Sequence, residues 1–561
     1  MNRPRFSHAC SALVPALVLA LSAPAARPAV QAAPAAAPQK LLTVAEATDY
    51  KATSRYADVM TYLRALQKMT PYLRVETLCT SPEGKDVPLV IVGNPLPANP
   101  LDARNAGKTV IYIQANIHAG EVEGKEAVQM LLRDILTQAK PPYLDKLVLL
   151  VAPIFNADGN DKIDPKNRTD QPGPEQGVGV RHNGQGLDLN RDAIKAESPE
   201  YQGLLRNVLV RWDPVMLVDC HTTDGAWHEQ TVTYAWPVNP NGDNVLIDFQ
   251  RSKMLPAIAK IMKDKYKTLG LEYGGFRDFR APEKGWETLE PQPRYTTNYI
   301  GVRNRLGILD ENYVHADFRT RVAGNYAFLR SILDYSADHA AELQKLVDDA
   351  DARTIARGLN PTDKDQFGVE FELKALPNPV TVLSFEMETS QAPGARFPQM
   401  RPTDKKKTYT IPYFADWTPK RTVPLPAGYL LPLPSAEVVR KLLLHGILVE
   451  RLTEPVRLEV QTFKLKEIKG SAEIYQGHRT NKVKGEYVPE QKDFAAGTYY
   501  VGLAQPLAPL AAYMLEPESD DGLLLWNFFD QEIVPQWSRE LAAYPVYKLM
   551  KPAALAKQAV R

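Results

Sequence analysis

The chain has 561 residues, 44% hydrophobic and 24% charged, which is ordinary globular composition and, at roughly 150 residues per domain, length for about three to four domains. Lys plus Arg (67) and Asp plus Glu (66) leave a formal charge of +1, which excludes a nucleic-acid binder resting on basic excess and removes any global charge reason to sit on an acidic membrane. Chain-wide disorder and a disulfide-stapled miniprotein are excluded as well.

The N-terminus reads as an export signal. Arg3 and Arg5 precede an apolar run from Ala12 to Leu21, broken only by Pro15, and small residues follow. Ala23-Pro24-Ala25 and Val30-Gln31-Ala32 both suit cleavage. The run is shorter than the roughly 20 residues that span a bilayer, and no later segment is long and apolar enough to do so. Residues 1–33 are therefore expected to be a signal peptide and the start of an Ala/Pro linker, and the mature chain a periplasmic or extracellular protein with no membrane span. Cys79 and Cys220 remain after signal removal. Pairing is open, because Cys220 in an apolar run is equally a normal buried thiol.

From Lys108 to Tyr335 apolar runs alternate with helical periodicity. Thr109–Asn116 is expected as a buried strand and Glu123–Leu136 as a helix with Ala127, Met130, Leu131 and Ile135 on one face. Lys146–Ile154, Pro214–Cys220 and Leu306–Leu309 (extending to Tyr313) are further strands; Ser252–Tyr266 and Arg321–Tyr335 are helices. This alternation predicts an α/β domain at 40–340 with a mostly parallel or mixed sheet between helices. Residues 336–357 read as a charged helix, with a linker at 341–365. Beyond it, Phe371–Leu373, Val380–Met387, Arg457–Phe463 and Gly497–Val501 are strand-like, with one helix at Ser435–Leu444. A separate β-rich C-terminal domain at 366–561 is expected.

Ligands of open α/β sheets collect at the C-terminal strand ends, and these ends carry unusual residues. His118-Ala119-Gly120-Glu121 follows the first strand, and His221 follows the third. Two His and one Glu with a fourth position open is a catalytic zinc arrangement. Gly120 and Gly124 let the backbone turn tightly beside the ion. Asn156-Ala157-Asp158-Gly159 ends the second strand, and Leu187-Asp188-Leu189-Asn190-Arg191 comes about thirty residues later.

Together these motifs resemble the zinc carboxypeptidase family, the carboxypeptidase A-like metallopeptidases, across about Lys108 to Tyr335. The resemblance implies that His118, Glu121 and His221 hold one zinc ion per chain and that Asp188 orients the first histidine. It makes Asn190 and Arg191 the clamp for a substrate carboxylate, a role that suits a planar guanidinium. Arg168 resembles the arginine that stabilises the carbonyl oxyanion, with Arg181 as its rival. Glu311, at the end of the last strand, resembles the catalytic glutamate, whereas Asp310 alternates to the other face. Tyr299, or else Tyr295, matches the substrate-binding tyrosine. The implied reaction is hydrolysis of a peptide with a free C-terminal carboxylate, through water activated by zinc and Glu311.

Two other readings share these residues: a zinc amidohydrolase acting on peptidoglycan stem peptides or acylated amino acids, and a catalytically silent binding protein. His228-Glu229 fails as a His-Glu-x-x-His motif because position 232 is valine. Neither Gly-x-Ser-x-Gly nor a nucleotide-binding glycine motif is present. The acidic stretch Glu516–Gly522 reads as an exposed turn. His182, His315, His339, His445 and His478 read as structural or surface residues.

Overall fold

The apolar runs at 109–116, 146–154, 214–220 and 306–313 all become strands of one sheet. In the computed structural model of the chain, the described residues are 40–223, 225–390, 399–432, 436–533, 541 and 543–560; the expected export signal lies outside them. The strands are β1 Leu73–Thr80, β2 Asp86–Val92, β3 Thr109–Ala115, β4 Leu147–Ala152, β5 Met216–Thr223, β6 Val232–Ala235, β7 Gly270–Glu272 and β8 Leu306–Tyr313. Their spatial order is β1-β2-β4-β3-β5-β8-β6-β7. The central four, β4, β3, β5 and β8, are parallel, and antiparallel pairings of β2 with β4 and of β6 with β8 extend the sheet on both sides. Strands β4 and β5 are buried at every position, as expected of sheets covered on both faces.

The helices around this sheet are α1 Tyr56–Met69, α2 Glu123–Leu136, α3 Leu255–Tyr266, α4 Phe318–Asp338 and α5 Ala340–Leu359. Helix α2 lies unusually close to the strands it crosses: a Cβ on Gly124 would sit 2.7 Å from the Cys220 Cβ and 3.2 Å from the Ala115 Cβ. Only glycine permits that approach without displacement. The expected linker at 341–365 is mostly α5. Its residues Leu343, Val347 and Ala350 are buried at the spacing of one helical stripe, so the segment packs on the fold instead of spanning a gap.

The C-terminal part is β-rich, as expected. Strands β9 Gln366–Ala375 and β10 Tyr413–Pro424 pair antiparallel. Strands β11 Val456–Gly470 and β12 Asn481–Phe494 form a long hairpin within a seven-stranded sheet. Among the described residues no break in the core falls at 365: one hydrophobic cluster runs from Ala45 to Val546, and Leu41–Arg561 is a single compact unit.

The stretch Glu516–Gly522 is not an exposed turn, because Glu516 is 1% and Asp521 0% accessible. Buried carboxylates need partners, and both have them. Lys548 Nζ lies 2.8 Å from Glu516 Oε1, and the Arg294 guanidinium lies 3.0 Å from Asp521 Oδ1. Cys79 and Cys220 are free thiols. Among the described residues, no helix is long and apolar enough to cross a membrane.

Candidate metal centre and substrate cleft

The three expected ligands converge. His118 sits just past β3, after Asn116, whose backbone is left-handed at φ 67°. The Asn116 side-chain amide holds this turn by donating to the carbonyls of Ala119 and Glu121, each at 3.1 Å. Glu121 precedes α2, and His221 lies on β5. The Nδ1 atoms of His118 and His221 are 3.0 Å and 2.9 Å from the two Glu121 carboxylate oxygens and 3.2 Å from each other.

The outer nitrogen of each ring faces a carboxylate. His118 Nε2 lies 3.0 Å from Asp188 Oδ1, and His221 Nε2 lies 3.0 Å from Asp219 Oδ2. A carboxylate at Nε2 keeps the proton there and turns the Nδ1 lone pair inward. Two imidazole lone pairs and a carboxylate then point at one spot, an arrangement that only a cation or added protons can hold together. Neighbouring ligands of a tetrahedral ion with bonds near 2.0 Å are about 3.3 Å apart, so the observed spacing and donor set fit zinc.

The charges agree with that purpose. Burial works against the charge on Glu121, yet His118 and Arg168 outweigh it and hold the carboxyl well below the usual range. Asp188 is held low in the same way, by His118 and Arg181 against burial.

Beside the three ligands lies a cavity of about 200 Å³ whose walls include Arg181, Asn190, Arg191, Tyr295 and Glu311. Glu311 on β8 is in register with His221 on β5, which brings it to the ligands. Asp310 faces the other way, accepting from Asn325 Nδ2 at 2.8 Å, and burial raises its pKa well above normal. The Arg191 guanidinium lies 4.4 Å above the Tyr295 ring, and Asn190 Oδ1 accepts from the Thr296 amide at 2.9 Å.

Two expectations change. Tyr299 is fully buried and its hydroxyl lies 2.5 Å from His445 Nδ1; it sits inside the short helix Thr296–Val302 and faces the core. Tyr295, one turn earlier at the helix cap, lines the cleft instead. Arg168 gives its donors to the protein, at 3.0 Å to Glu121 Oε1, 3.0 Å to the Thr222 carbonyl and 2.9 Å to Gln171. Arg181 is on the cavity wall, with Nε 2.8 Å from Asp188 Oδ2, and Arg168 is not among the residues of that wall.

Sequence reading missed Tyr273, a cavity-wall residue on an irregular segment, and Gln476, whose Oε1 accepts from the Asp188 amide at 3.0 Å. Neither carries a local signal. His228 is a buried core residue, its pKa lowered to about 4 by burial.

Residues 59–223 match the family described as zinc carboxypeptidase. This segment is a zinc carboxypeptidase domain by that match. The match to that family contains His118, Glu121, Asp188, Asn190, Arg191 and His221, and ends before Tyr295 and Glu311. Carboxypeptidase 2 of Trichophyton equinum is 24% identical over 489 residues, covering 84% of this chain and 81% of that protein. Carboxypeptidase 2 of Trichophyton rubrum is 23% identical over 484 residues, with the same shares. Among solved structures, the metallo-carboxypeptidase from Burkholderia cenocepacia is similar at 20% identity and TM-score 0.39, covering 51% of this chain and 71% of that one. The metallo-carboxypeptidase from Pseudomonas aeruginosa in complex with (2-guanidinoethylmercapto)succinic acid is similar at 17% identity and TM-score 0.38, with 52% and 70% covered. The domain match and the carboxypeptidase relatives indicate a zinc metallopeptidase.

Proposed function

We propose that the protein is an exported metallocarboxypeptidase that removes C-terminal residues from peptides, with His118, Glu121 and His221 holding zinc. The observation that carries this reading is that His118, Glu121, the Asn190–Arg191 pair and Glu311 line one cavity, with His221 against the first two. A guanidinium in that cavity matches a free carboxylate in shape and charge, and stacking on Tyr295 fixes its plane. A peptide held there by its terminus presents its last amide bond towards His118, Glu121 and His221. Zinc in this site supplies Lewis-acid polarisation and lowers the pKa of a water towards about 7. Glu311 takes the proton of the attacking water as oxygen adds to the carbonyl carbon, and returns it to the amine as the C–N bond breaks. Arg181 stabilises the negative charge that develops on the carbonyl oxygen.

The test is mass spectrometry of products from a panel of peptides and murein peptides, using the purified mature protein. Loss of single C-terminal residues, abolished by a chelator and restored by zinc, is the expected result. Internal cuts or released acyl groups would overturn Arg191 as a terminal clamp and favour the amidohydrolase reading. A zinc-loaded protein that turns over nothing would overturn the enzymatic reading in favour of a binding role.

A further inference from the structure

The tip of the β11–β12 hairpin reaches the cleft from almost three hundred residues away in sequence, and it is built in an unusual way. Tyr475 and His478 pair through two backbone hydrogen bonds of 2.8 Å and 3.0 Å. The two residues between them are both left-handed, Gln476 at φ 50° and Gly477 at φ 84°. Tight hairpins of this form favour Asn, Asp or Gly at the first position. A glutamine there is strained, and strain of that kind is retained where the side chain has a task.

The task is visible in the contacts. Gln476 Oε1 accepts from the backbone amide of Asp188 at 3.0 Å. Two residues on, His478 Nε2 lies 3.0 Å from Glu197 Oε2. The hairpin tip thus grips both ends of the segment 188–197, which carries Asn190 and Arg191 and begins with the carboxylate that orients His118. Tyr475 stacks on Trp526 with ring centroids 6.1 Å apart, and the Arg294 guanidinium lies 5.6 Å from the Tyr475 ring; Arg294 is the neighbour of the cleft residue Tyr295. No residue from 471 to 480 is buried, so the tip lies on the surface of the core and packs on it through Trp526. Its contacts are divided between the rim of the cleft and the segment 526–528, where His478 lies against Trp526 and Phe528 and 3.2 Å from Asn527 Oδ1.

Resting on the carboxypeptidase reading, we propose that this hairpin tip is a positioning device for the active site. Gln476 fixes the Asp188 backbone, and through it the orientation of His118 and the placement of the Asn190–Arg191 clamp. Gln476 is a positioning residue, since nothing places it against the substrate.

Gln476→Asn and Gln476→Gly separate this role from a structural one, because both suit the turn better than glutamine while neither reaches the Asp188 amide. The expected result is an unchanged or raised Tm together with zinc affinity, read by competition with a chromogenic chelator, and kcat/KM each weakened on the order of tenfold to a hundredfold. Variants that keep wild-type zinc affinity and kcat/KM would overturn the proposal. A loss of activity that follows a loss of Tm would overturn it too, by making the tip a structural element. If the wild-type protein removes no C-terminal residues, the carboxypeptidase reading fails, and the zinc-affinity comparison still decides whether Gln476 positions the ligand set.

Discussion

Glu311 is tested by removing its charge while keeping its shape. Glu311→Gln is expected to retain zinc and bind peptide, with kcat reduced about 10²- to 10⁴-fold, read in steady-state assays beside metal analysis; full activity would remove Glu311 from the proposed role. Tyr299 gives the opposite contrast. Its hydroxyl is enclosed by His445 and Arg303, so Tyr299→Phe is expected to lower stability by about 1–3 kcal/mol in a denaturant titration while kcat/KM per folded molecule stays the same. The candidate ligands were legible in the sequence because His118-x-x-Glu121 and His221 each come at or just past the end of an apolar run, in series with the motifs at 156–159 and 187–191. The two tyrosines were not separable that way. Tyr295 caps its helix and Tyr299 lies within it, a difference of one turn that no local pattern announces. Arg168 and Arg181 share the same difficulty, since both stand on an irregular segment without periodicity.

At the scale of elements, the close approach of α2 to β5 sets where Glu121 and His221 meet. Gly124→Ala places a methyl 2.7 Å from the Cys220 Cβ, which forces the helix outward. Overpacking of this kind costs about 1–3 kcal/mol, and the displacement separates the two ligands. The expected outcome is a lower denaturation midpoint and weaker zinc retention in chelator competition; a variant with wild-type zinc affinity would show that the helix position is not what sets the site. Strands β3, β4, β5 and β8 were legible because runs of Val, Ile and Leu bounded by polar residues have few other uses. Strand β1, with its sequence LRVETLCT, was not, because a half-exposed strand near the sheet edge carries too little apolar content to stand out. Helix α5 was read as a helix with a connector over most of its length, since its charged face dominates the composition and the buried stripe of Leu343, Val347 and Ala350 is narrow.

At the scale of the whole molecule, the absence of a break in the core near residue 365 has a direct test. A chain ending at Leu359 would expose the apolar surface now covered by β9, β10 and the C-terminal sheet, and is expected to aggregate or remain unfolded by circular dichroism. A soluble, cooperatively melting fragment would show an independent domain. Stability against pH is likewise a property of the whole fold. Glu200 is buried with its pKa raised to about 7 from its ordinary 4.5, so the native state binds more protons than the unfolded chain between those values. Stability then falls as pH rises through that window. Glu200→Gln lacks this slope, and is therefore expected to gain on the wild type in thermal denaturation at pH 8 relative to pH 5. The acidic stretch at 516–522 escaped sequence reading for a reason that belongs to this scale: its carboxylates are buried by partners distant in sequence, such as Arg294.

That last contact ties the rim of the cleft to residues distant in sequence. The Arg294 amide donates to Asp521 Oδ2 across 227 residues, next to the tyrosine on which Arg191 stacks. One side of the cleft is thus held from the β-rich C-terminal region, while Asn190 holds the helix beside it through the Thr296 amide. A chain that lacks Asp521 therefore loses a hold on this rim.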